Sequence, residues 1–145
     1  MKIDQKQKEI LVARAKEARS KSYCPYSGFA VGAALLTQDG RIYTGANIES
    51  ASYSPTACAE RVAFFGAIHD GARDFSAIAV VGGEADKEIS SFCSPCGVCR
   101  QVMSEFCRDD FLVILSDGNQ ITEITMEALL PARFALKETE KGGKA

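Results

Sequence analysis

Residues 29–46 read FAVGAALLTQDGRIYTGA and predict a β-hairpin. The run Phe29–Thr37 has the length and apolar character of a buried strand, and Asp39-Gly40 is a dipeptide that favours a tight turn between two strands. Residues Ile42–Ala46 then return along the first strand. We therefore expect the two segments to pair in antiparallel orientation.

Helical spacing flanks the hairpin on both sides. Upstream, a helix is predicted over residues 4–21, with one apolar face. That face consists of Ile10, Leu11, Ala15 and Ala18. A polar, turn-rich loop at residues 47–55 is followed by a second predicted helix over residues 57–70. Its apolar face is expected at Val62, Phe65 and Ile68.

The second half of the chain alternates strands and helices. Apolar runs at residues 75–81 and 111–115 predict buried strands, and a third helix is expected to begin at residues 95–97. Residues 121–124 predict a short edge strand, and residues 126–130 predict a brief helix. A hairpin followed by such crossovers predicts a mixed sheet flanked by helices.

Length and charge restrict the class of protein. The 145 residues fit one domain, which we place at residues 1–136, followed by a mobile tail at residues 137–145. The net charge of −2 predicts neither a nucleic-acid nor a membrane partner. No apolar stretch is long enough to cross a bilayer, so we expect a cytoplasmic protein whose six cysteines stay reduced.

The spacing of the cysteines predicts a metal site. Two residues separate Cys96 from Cys99, which lets both thiolates bind one tetrahedral zinc ion, and Cys58 can supply a third ligand. Three protein ligands leave one position for water, as in catalytic zinc sites. The pair also occurs in structural zinc sites. With Cys93 it resembles the start of an iron–sulfur motif, but Met103 stands where the next cysteine would be.

The predicted ligands lie in the first turns of two helices. The partial positive charge of a helix N-terminus offsets the negative charge of three thiolates around Zn²⁺. Arg61, three residues after Cys58, can hydrogen-bond a thiolate sulfur, and Arg100 or Gln101 could do so from the other helix. Glu60 leaves its helix in a different direction and is therefore better placed to hold a proton above the metal than to bind it.

A second pair of polar residues precedes the cysteine motifs. Asn47 and Glu49 alternate at the end of a strand, so both side chains can leave on one face. An amide and a carboxylate together can donate to and accept from a ribose hydroxyl. The pair therefore predicts a sugar-binding site.

These motifs together resemble the zinc-dependent nucleoside deaminases. The residues that carry the resemblance are Cys58-Ala59-Glu60 and the later Pro-Cys-Gly-x-Cys at residues 95–99. The similarity is greatest to the small homotetrameric cytidine deaminases that use three cysteine ligands, and it extends over most of the chain. It implies a three-layer α/β/α sandwich with a mixed five-stranded sheet and one Zn²⁺ per subunit.

The resemblance also implies a reaction. Cytidine and 2′-deoxycytidine would be hydrolysed at C4 to uridine and 2′-deoxyuridine with release of ammonia, as a step of pyrimidine salvage. Glu60 would take a proton from the attacking water, protonate N3 of the ring and help ammonia to leave. The zinc ligands would be Cys58, Cys96 and Cys99, with Arg61 and Gln101 around them.

By the same resemblance, several residues would contact the nucleoside. Asn47 and Glu49 would bind the 3′-hydroxyl, Phe29 would pack near the ring, and the backbone near Ala59 and Ser94 would recognise the polar edge of the pyrimidine. Two further residues would act between subunits of a homotetramer, whose sites are completed by neighbouring subunits. Phe134 would stack on the base from a neighbouring subunit, and Tyr53 would lie at the subunit contacts.

Two alternatives remain at this stage. A related enzyme class deaminates the antibiotic blasticidin S with the same zinc motifs, but Asn47 and Glu49 suit a ribose and favour the plain nucleoside. The other alternative is a binding module with a structural zinc, which a fourth protein ligand would support.

Overall fold

A computed structural model describes residues 2–136, in which the chain forms nine helices and strands. In chain order they are α1 (Gln5–Arg19), β1 (Phe29–Thr37), β2 (Ile42–Ala46), α2 (Ala59–His69), β3 (Phe75–Glu84), α3 (Gly97–Phe106), β4 (Leu112–Ser116), β5 (Ile121–Thr125) and α4 (Met126–Leu129). The tail predicted at residues 137–145 lies outside the described residues.

The strands form one mixed sheet of five strands in the order β2-β1-β3-β4-β5. The β3–β4 pair is parallel and the other pairs are antiparallel, so the predicted mixed five-stranded sheet is confirmed. The hairpin strands have the predicted bounds, and β5 lies at an edge. β3 continues beyond its predicted end at residue 81, because Gly82 and Gly83 still pair with Val31 and Ala30 of β1.

Side chains that alternate along the strands build two separate apolar layers. In β1, Ala33 and Leu35 pack in the layer that contains α2 and α3, whereas Ala34 and Leu36 pack in the layer that contains α1. The same alternation continues in β3 and β4. Helices therefore cover both faces, and the predicted three-layer α/β/α sandwich is confirmed.

The helices bury partly different faces from those predicted. In α2 the buried side chains include Ala63, Phe64 and Ala67, while Phe65 is 51% exposed. In α1, Val12 is buried and Ile10 is exposed. Phe64 takes the core position that was predicted for Phe65, and the alanines on the same face let the α2 backbone lie close to the sheet.

Two glycines mark where helices approach the sheet most closely. A Cβ atom on Gly32 of β1 would lie 2.0 Å from the carbonyl oxygen of Ala15 in α1. A Cβ atom on Gly45 of β2 would lie 2.4 Å from the carbonyl oxygen of Ala59 in α2. The first turn of α2 is thus packed directly on β2. Within residues 2–136, no helix is long and apolar enough to span a membrane.

Candidate active site

Three cysteine sulfurs meet where α2 and α3 begin. The Sγ atoms of Cys58, Cys96 and Cys99 all lie within 4.8 Å of one another, and those of Cys58 and Cys96 are 3.8 Å apart. Among the described residues, no fourth His, Cys, Asp or Glu joins these three possible metal ligands. Cys99 is buried and Cys96 is exposed, so the cluster is accessible from one side.

Two of the cysteines stand at helix N-caps rather than inside the helices. Cys58 (φ −70°, ψ 157°) precedes α2, and Cys96 (φ −70°, ψ 168°) precedes α3. The prediction that α2 begins at residue 57 was therefore early by two residues. The reason is a short backbone pairing in which Ile48 and Ala57 exchange two hydrogen bonds of 2.9 Å. This pairing keeps the chain extended up to Cys58.

Arg61 contacts the cluster from the first turns of α2. Its guanidinium Nη2 donates to the Cys58 sulfur at 3.5 Å and to the Thr56 carbonyl at 3.2 Å. Hydrogen bonds from the Cys99 thiol, Arg61 and the Cys96 thiol lower the pKa of Cys58 to about 5, against the opposing effect of burial. The pKa of Cys99 is raised, because its thiol proton bonds to the Cys58 thiolate.

The sulfur cluster fits a zinc ion. Thiolates are the ligands that zinc prefers, and three of them on two helix N-termini form an open site rather than a closed one. One sulfur already favours the thiolate, and a bound cation would displace the remaining thiol protons. The described residues therefore suit a metal with one position left for a small molecule.

Glu60 is buried beside the cluster and is only 4% exposed. Burial raises the pKa of its carboxyl, and the charge of the nearby Cys58 thiolate raises it further. A carboxyl in such surroundings can exchange a proton closer to neutral pH than an exposed glutamate can. Glu60 is therefore suited to proton transfer.

Cys93 lies near the cluster but is not part of it. It is half-buried, and burial raises the pKa of its thiol to about 11, so the thiol stays protonated at neutral pH. Its sulfur would lie 2.8 Å from a Cβ atom on Gly82, which places Cys93 against the end of β3. The three sulfurs that meet are therefore those of Cys58, Cys96 and Cys99, as the deaminase-like motif predicts. The iron–sulfur-like spacing would instead have required Cys93.

A pocket of about 310 Å³ adjoins this region. The residues that line it are Tyr26, Ser27, Glu49, Ser50, Tyr53 and Thr56. Thr56 links the pocket to the cluster, because its carbonyl accepts from Arg61, which also contacts Cys58. Tyr53 has a left-handed backbone (φ 40°), a strained conformation for a residue other than glycine.

Glu49 and Asn47 have different surroundings. Glu49 lines the pocket, and its carboxylate accepts from the backbone of Tyr26 and from the backbone and hydroxyl of Ser27. The Ser27 hydroxyl is the main cause of a lowered Glu49 pKa. Asn47 is buried, and it is not one of the residues that line this pocket.

The Asn47 amide connects the end of β2 to β1. Its Oδ1 accepts from the Ser22 hydroxyl at 2.5 Å and from the Val31 N–H at 2.9 Å. Its Nδ2 donates to the Phe29 carbonyl at 2.8 Å. These bonds fix the orientation of the amide. Asn47 therefore holds β1 to the end of β2, in addition to its predicted role in sugar binding.

The remaining predicted site residues are distributed around this region. Ala59 is buried at the start of α2, and the Ser94 hydroxyl accepts from Arg100 at 2.9 Å. Gln101 donates to the Phe134 carbonyl at 3.1 Å, so the hydrogen bond seen for it goes to the C-terminal segment rather than to a cysteine. Phe29 is exposed.

Sequence reasoning missed the pocket residues Ser27, Ser50 and Thr56. Ser27 lies between the predicted first helix and β1, 22 residues before its partner Glu49. Ser50 and Thr56 bond to each other across the loop before α2, from the Ser50 N–H to the Thr56 hydroxyl at 3.0 Å. No local pattern connects such pairs, because they meet only after the loop closes.

Comparison with known proteins agrees with this geometry. Residues 5–115 match the family described as "Cytidine and deoxycytidylate deaminase zinc-binding region", and all three clustered cysteines lie within the match. The chain belongs to this family, and its cysteine cluster fits the family's zinc ion. It is a zinc-dependent deaminase.

Individual relatives cover nearly the whole chain. It is 51% identical over 131 residues to the cytidine deaminase of Sporosarcina psychrophila, which covers 90% of this chain and 93% of that one. It is 47% identical over 132 residues to the cytidine deaminase of Halalkalibacterium halodurans, covering 90% and 96%. The crystal structure of cytidine deaminase from Burkholderia pseudomallei superposes with a TM-score of 0.79 at 44% identity, covering 87% and 98%.

Proposed function

We propose that this protein hydrolyses cytidine and 2′-deoxycytidine to uridine and 2′-deoxyuridine with release of ammonia, as a step of pyrimidine salvage. The observation that carries the proposal is the buried carboxyl of Glu60 beside three clustered sulfurs with an accessible side. A structural zinc site would need neither that carboxyl nor the accessible position. Membership of a cytidine and deoxycytidylate deaminase family supports the same reaction.

Cys58, Cys96 and Cys99 would hold one Zn²⁺ per subunit, and the ion would supply the Lewis acidity that makes water a nucleophile at neutral pH. Glu60 accepts a proton from the attacking water and delivers it to N3 of the cytosine ring. It then takes the remaining proton of that water, from the hydroxyl added at C4, and delivers it to the amino group, which leaves as ammonia. The raised pKa of this buried carboxyl matches such a shuttle, because the group must both gain and lose a proton in each turnover.

Arg61 and the two helix N-termini adjust the charge of the site. Three thiolates make the surroundings of the metal negative, which would oppose ionisation of water. The hydrogen bond from Arg61 to Cys58 and the partial positive charges at the starts of α2 and α3 reduce that effect. Gln101 is proposed to support the site from α3.

The sugar would bind in the pocket next to the cluster. The Glu49 carboxylate lines that pocket and is available to accept a sugar hydroxyl, and Asn47 is proposed as the donor to the same 3′-hydroxyl. Phe29 would pack near the ring, and the backbone at Ala59 and Ser94 would bind the polar edge of the base. An anionic carboxylate on the pocket wall favours a nucleoside over a phosphorylated nucleotide.

We propose further that residues 1–136 form one catalytic domain, and that it assembles as a homotetramer with sites completed by neighbouring subunits. The exposure of aromatic side chains in the single chain supports this assembly, since Tyr53 is 74% and Phe134 is 66% exposed. In the tetramer Tyr53 would lie at subunit contacts and Phe134 would stack on the base. A cytoplasmic location is proposed because the six cysteines are free thiols.

The test is the ultraviolet absorbance of cytidine incubated with the purified, zinc-loaded protein. Conversion to uridine, with one ammonia released per uridine, is expected. Blasticidin S and cytidine 5′-monophosphate serve as comparison substrates and should react far more slowly. A zinc-loaded protein that leaves cytidine unchanged would refute the proposal. Sedimentation of the same sample would measure the proposed tetramer.

A further inference from the structure

Ser27 and Glu49 line the same pocket and are hydrogen-bonded to each other. The Ser27 hydroxyl donates to Oε2 of Glu49 at 2.5 Å and accepts the backbone N–H of Phe29 at 3.0 Å. A serine hydroxyl has a single proton to donate, and in Ser27 this proton is used in the hydrogen bond to Glu49. The Phe29 N–H holds the hydroxyl oxygen from the start of β1 and thereby fixes where that proton points.

The hydrogen bonds around Glu49 can be counted. An ionised carboxylate offers about four acceptor positions, two on each oxygen. Both positions on Oε1 are filled, by the backbone N–H groups of Tyr26 at 3.0 Å and Ser27 at 3.1 Å. One position on Oε2 is filled by the Ser27 hydroxyl. One acceptor position on Oε2 remains, and Glu49 borders the pocket.

We propose that Ser27 is a positioning residue that sets sugar specificity. Its hydroxyl orients Glu49, so that the one remaining acceptor position of the carboxylate receives a single sugar hydroxyl. This inference rests on the proposed function, in which Glu49 binds the nucleoside sugar. Without the Ser27 hydroxyl, Oε2 has two open acceptor positions, and water competes with the sugar hydroxyl for both. The carboxylate then loses the fixed orientation that distinguishes a sugar with the hydroxyl from one without it.

Ser27→Ala is the informative variant, because it removes the hydroxyl and keeps the backbone N–H that also bonds to Glu49. Ser27 is exposed in a loop, so the change should leave the thermal unfolding midpoint almost unchanged. We expect kcat/KM for 2′-deoxycytidine to fall about 10-fold, mainly through KM, as for a lost hydrogen bond to a charged group. For 2′,3′-dideoxycytidine, which lacks the 3′-hydroxyl, kcat/KM should be unchanged.

Three further measurements separate a positioning role from a structural one. Ser27→Thr keeps a hydroxyl and should restore the discrimination between the two nucleosides. In a double-mutant cycle, Ser27→Ala should add no further loss to Glu49→Ala, because Ser27 acts through that carboxylate. Calorimetric binding of uridine and 2′,3′-dideoxyuridine should show the same pattern without turnover.

The inference would be overturned if Ser27→Ala lowered kcat/KM equally for both nucleosides, if it changed neither, or if its effect added to that of Glu49→Ala. Failure of the proposed function is a different result. In that case the wild-type protein would deaminate neither nucleoside, and uridine would not bind more tightly than its dideoxy form.

Discussion

Gly45 of β2 and Ala59 of α2 lie so close that a side chain on Gly45 would collide with the helix. Its Cβ atom would lie 2.4 Å from the Ala59 carbonyl oxygen and 2.6 Å from the Ala63 nitrogen. Both are backbone atoms and cannot move independently of α2. Because Cys58 and Glu60 flank Ala59, this contact determines where the metal ligand and the proton-transfer group stand relative to the sheet.

Gly45→Ala is therefore expected to destabilise the fold by about 1–3 kcal/mol, as overpacking does, and to lower zinc content and turnover together. Thermal unfolding and metal analysis would measure both effects. Gly66→Ala, in α2, is the matched control, since a Cβ atom there has no neighbour within 4 Å. That variant should keep full activity and gain up to about 1 kcal/mol. Equal behaviour of the two variants would contradict the positioning role of Gly45.

Glu60→Gln should retain stoichiometric zinc and lose at least about 10²–10⁴-fold in turnover, the contribution that proton transfer typically makes. The amide keeps the size of the side chain but cannot take a proton from water. Metal analysis and the absorbance assay on one preparation would test this. Turnover close to that of the wild type would exclude Glu60 from the mechanism.

Cys99→Ser should abolish zinc binding, because it removes the buried sulfur from a group of three. Cys24→Ser is the control, since Cys24 lies outside the sulfur cluster and its loss should leave the metal in place. Zinc content after dialysis distinguishes the two variants. One zinc per chain in purified Cys99→Ser protein would show that the ligand assignment is wrong.

Arg61→Ala should weaken zinc binding by about 10–100-fold, the usual effect of losing a hydrogen-bond partner of a metal ligand. The guanidinium otherwise donates to the Cys58 sulfur. Arg73→Ala is the control, because Arg73 donates to the carbonyls of Ile68 and Ala72 near the C-terminal end of α2, away from the cysteine cluster. A competition titration with a chelator gives the affinities. Unchanged affinity in Arg61→Ala would contradict the predicted contact.

Asp39 should contribute to stability in a defined pH range. Hydrogen bonds from the Thr37 hydroxyl and from Arg41 lower the pKa of Asp39 from 3.8 to about 2. A folded-state pKa below the unfolded value means that the contribution is complete above about pH 4 and is lost as pH falls towards 2. The unfolding midpoint of the wild type should exceed that of Asp39→Asn at pH 7 and converge with it near pH 2. A constant difference across this range would contradict the assignment.

Much of the fold was predictable because it depends on neighbours in sequence. The Asp39-Gly40 turn and the apolar runs beside it predicted β1 and β2 with their observed bounds. The Cys96-x-x-Cys99 spacing placed two sulfurs at the start of one helix, where they are found. Turn geometry and helical pitch act over a few residues and are therefore visible in the sequence.

The helix faces and the hydrogen bonds of the site were less predictable. Phe65 was expected inside but is exposed, because the helix approaches β2 through its alanines over Gly45. Gln101 was expected near the thiolates and instead bonds to the Phe134 carbonyl. Asn47 was interpreted only as a ligand, but its amide also holds β1 to the end of β2.

From the sequence alone we could predict the order of strands and helices, the zinc-binding role of the three cysteines and the position of Glu60 beside them. Each of these depends on residue type and short spacing. Only the folded chain shows that Ser27 bonds to Glu49, that Thr56 joins the pocket to Arg61, and that Gly45 lies directly against α2. These contacts join residues from separate elements, and they exist only once the packing of helices on the sheet has closed the distance between them.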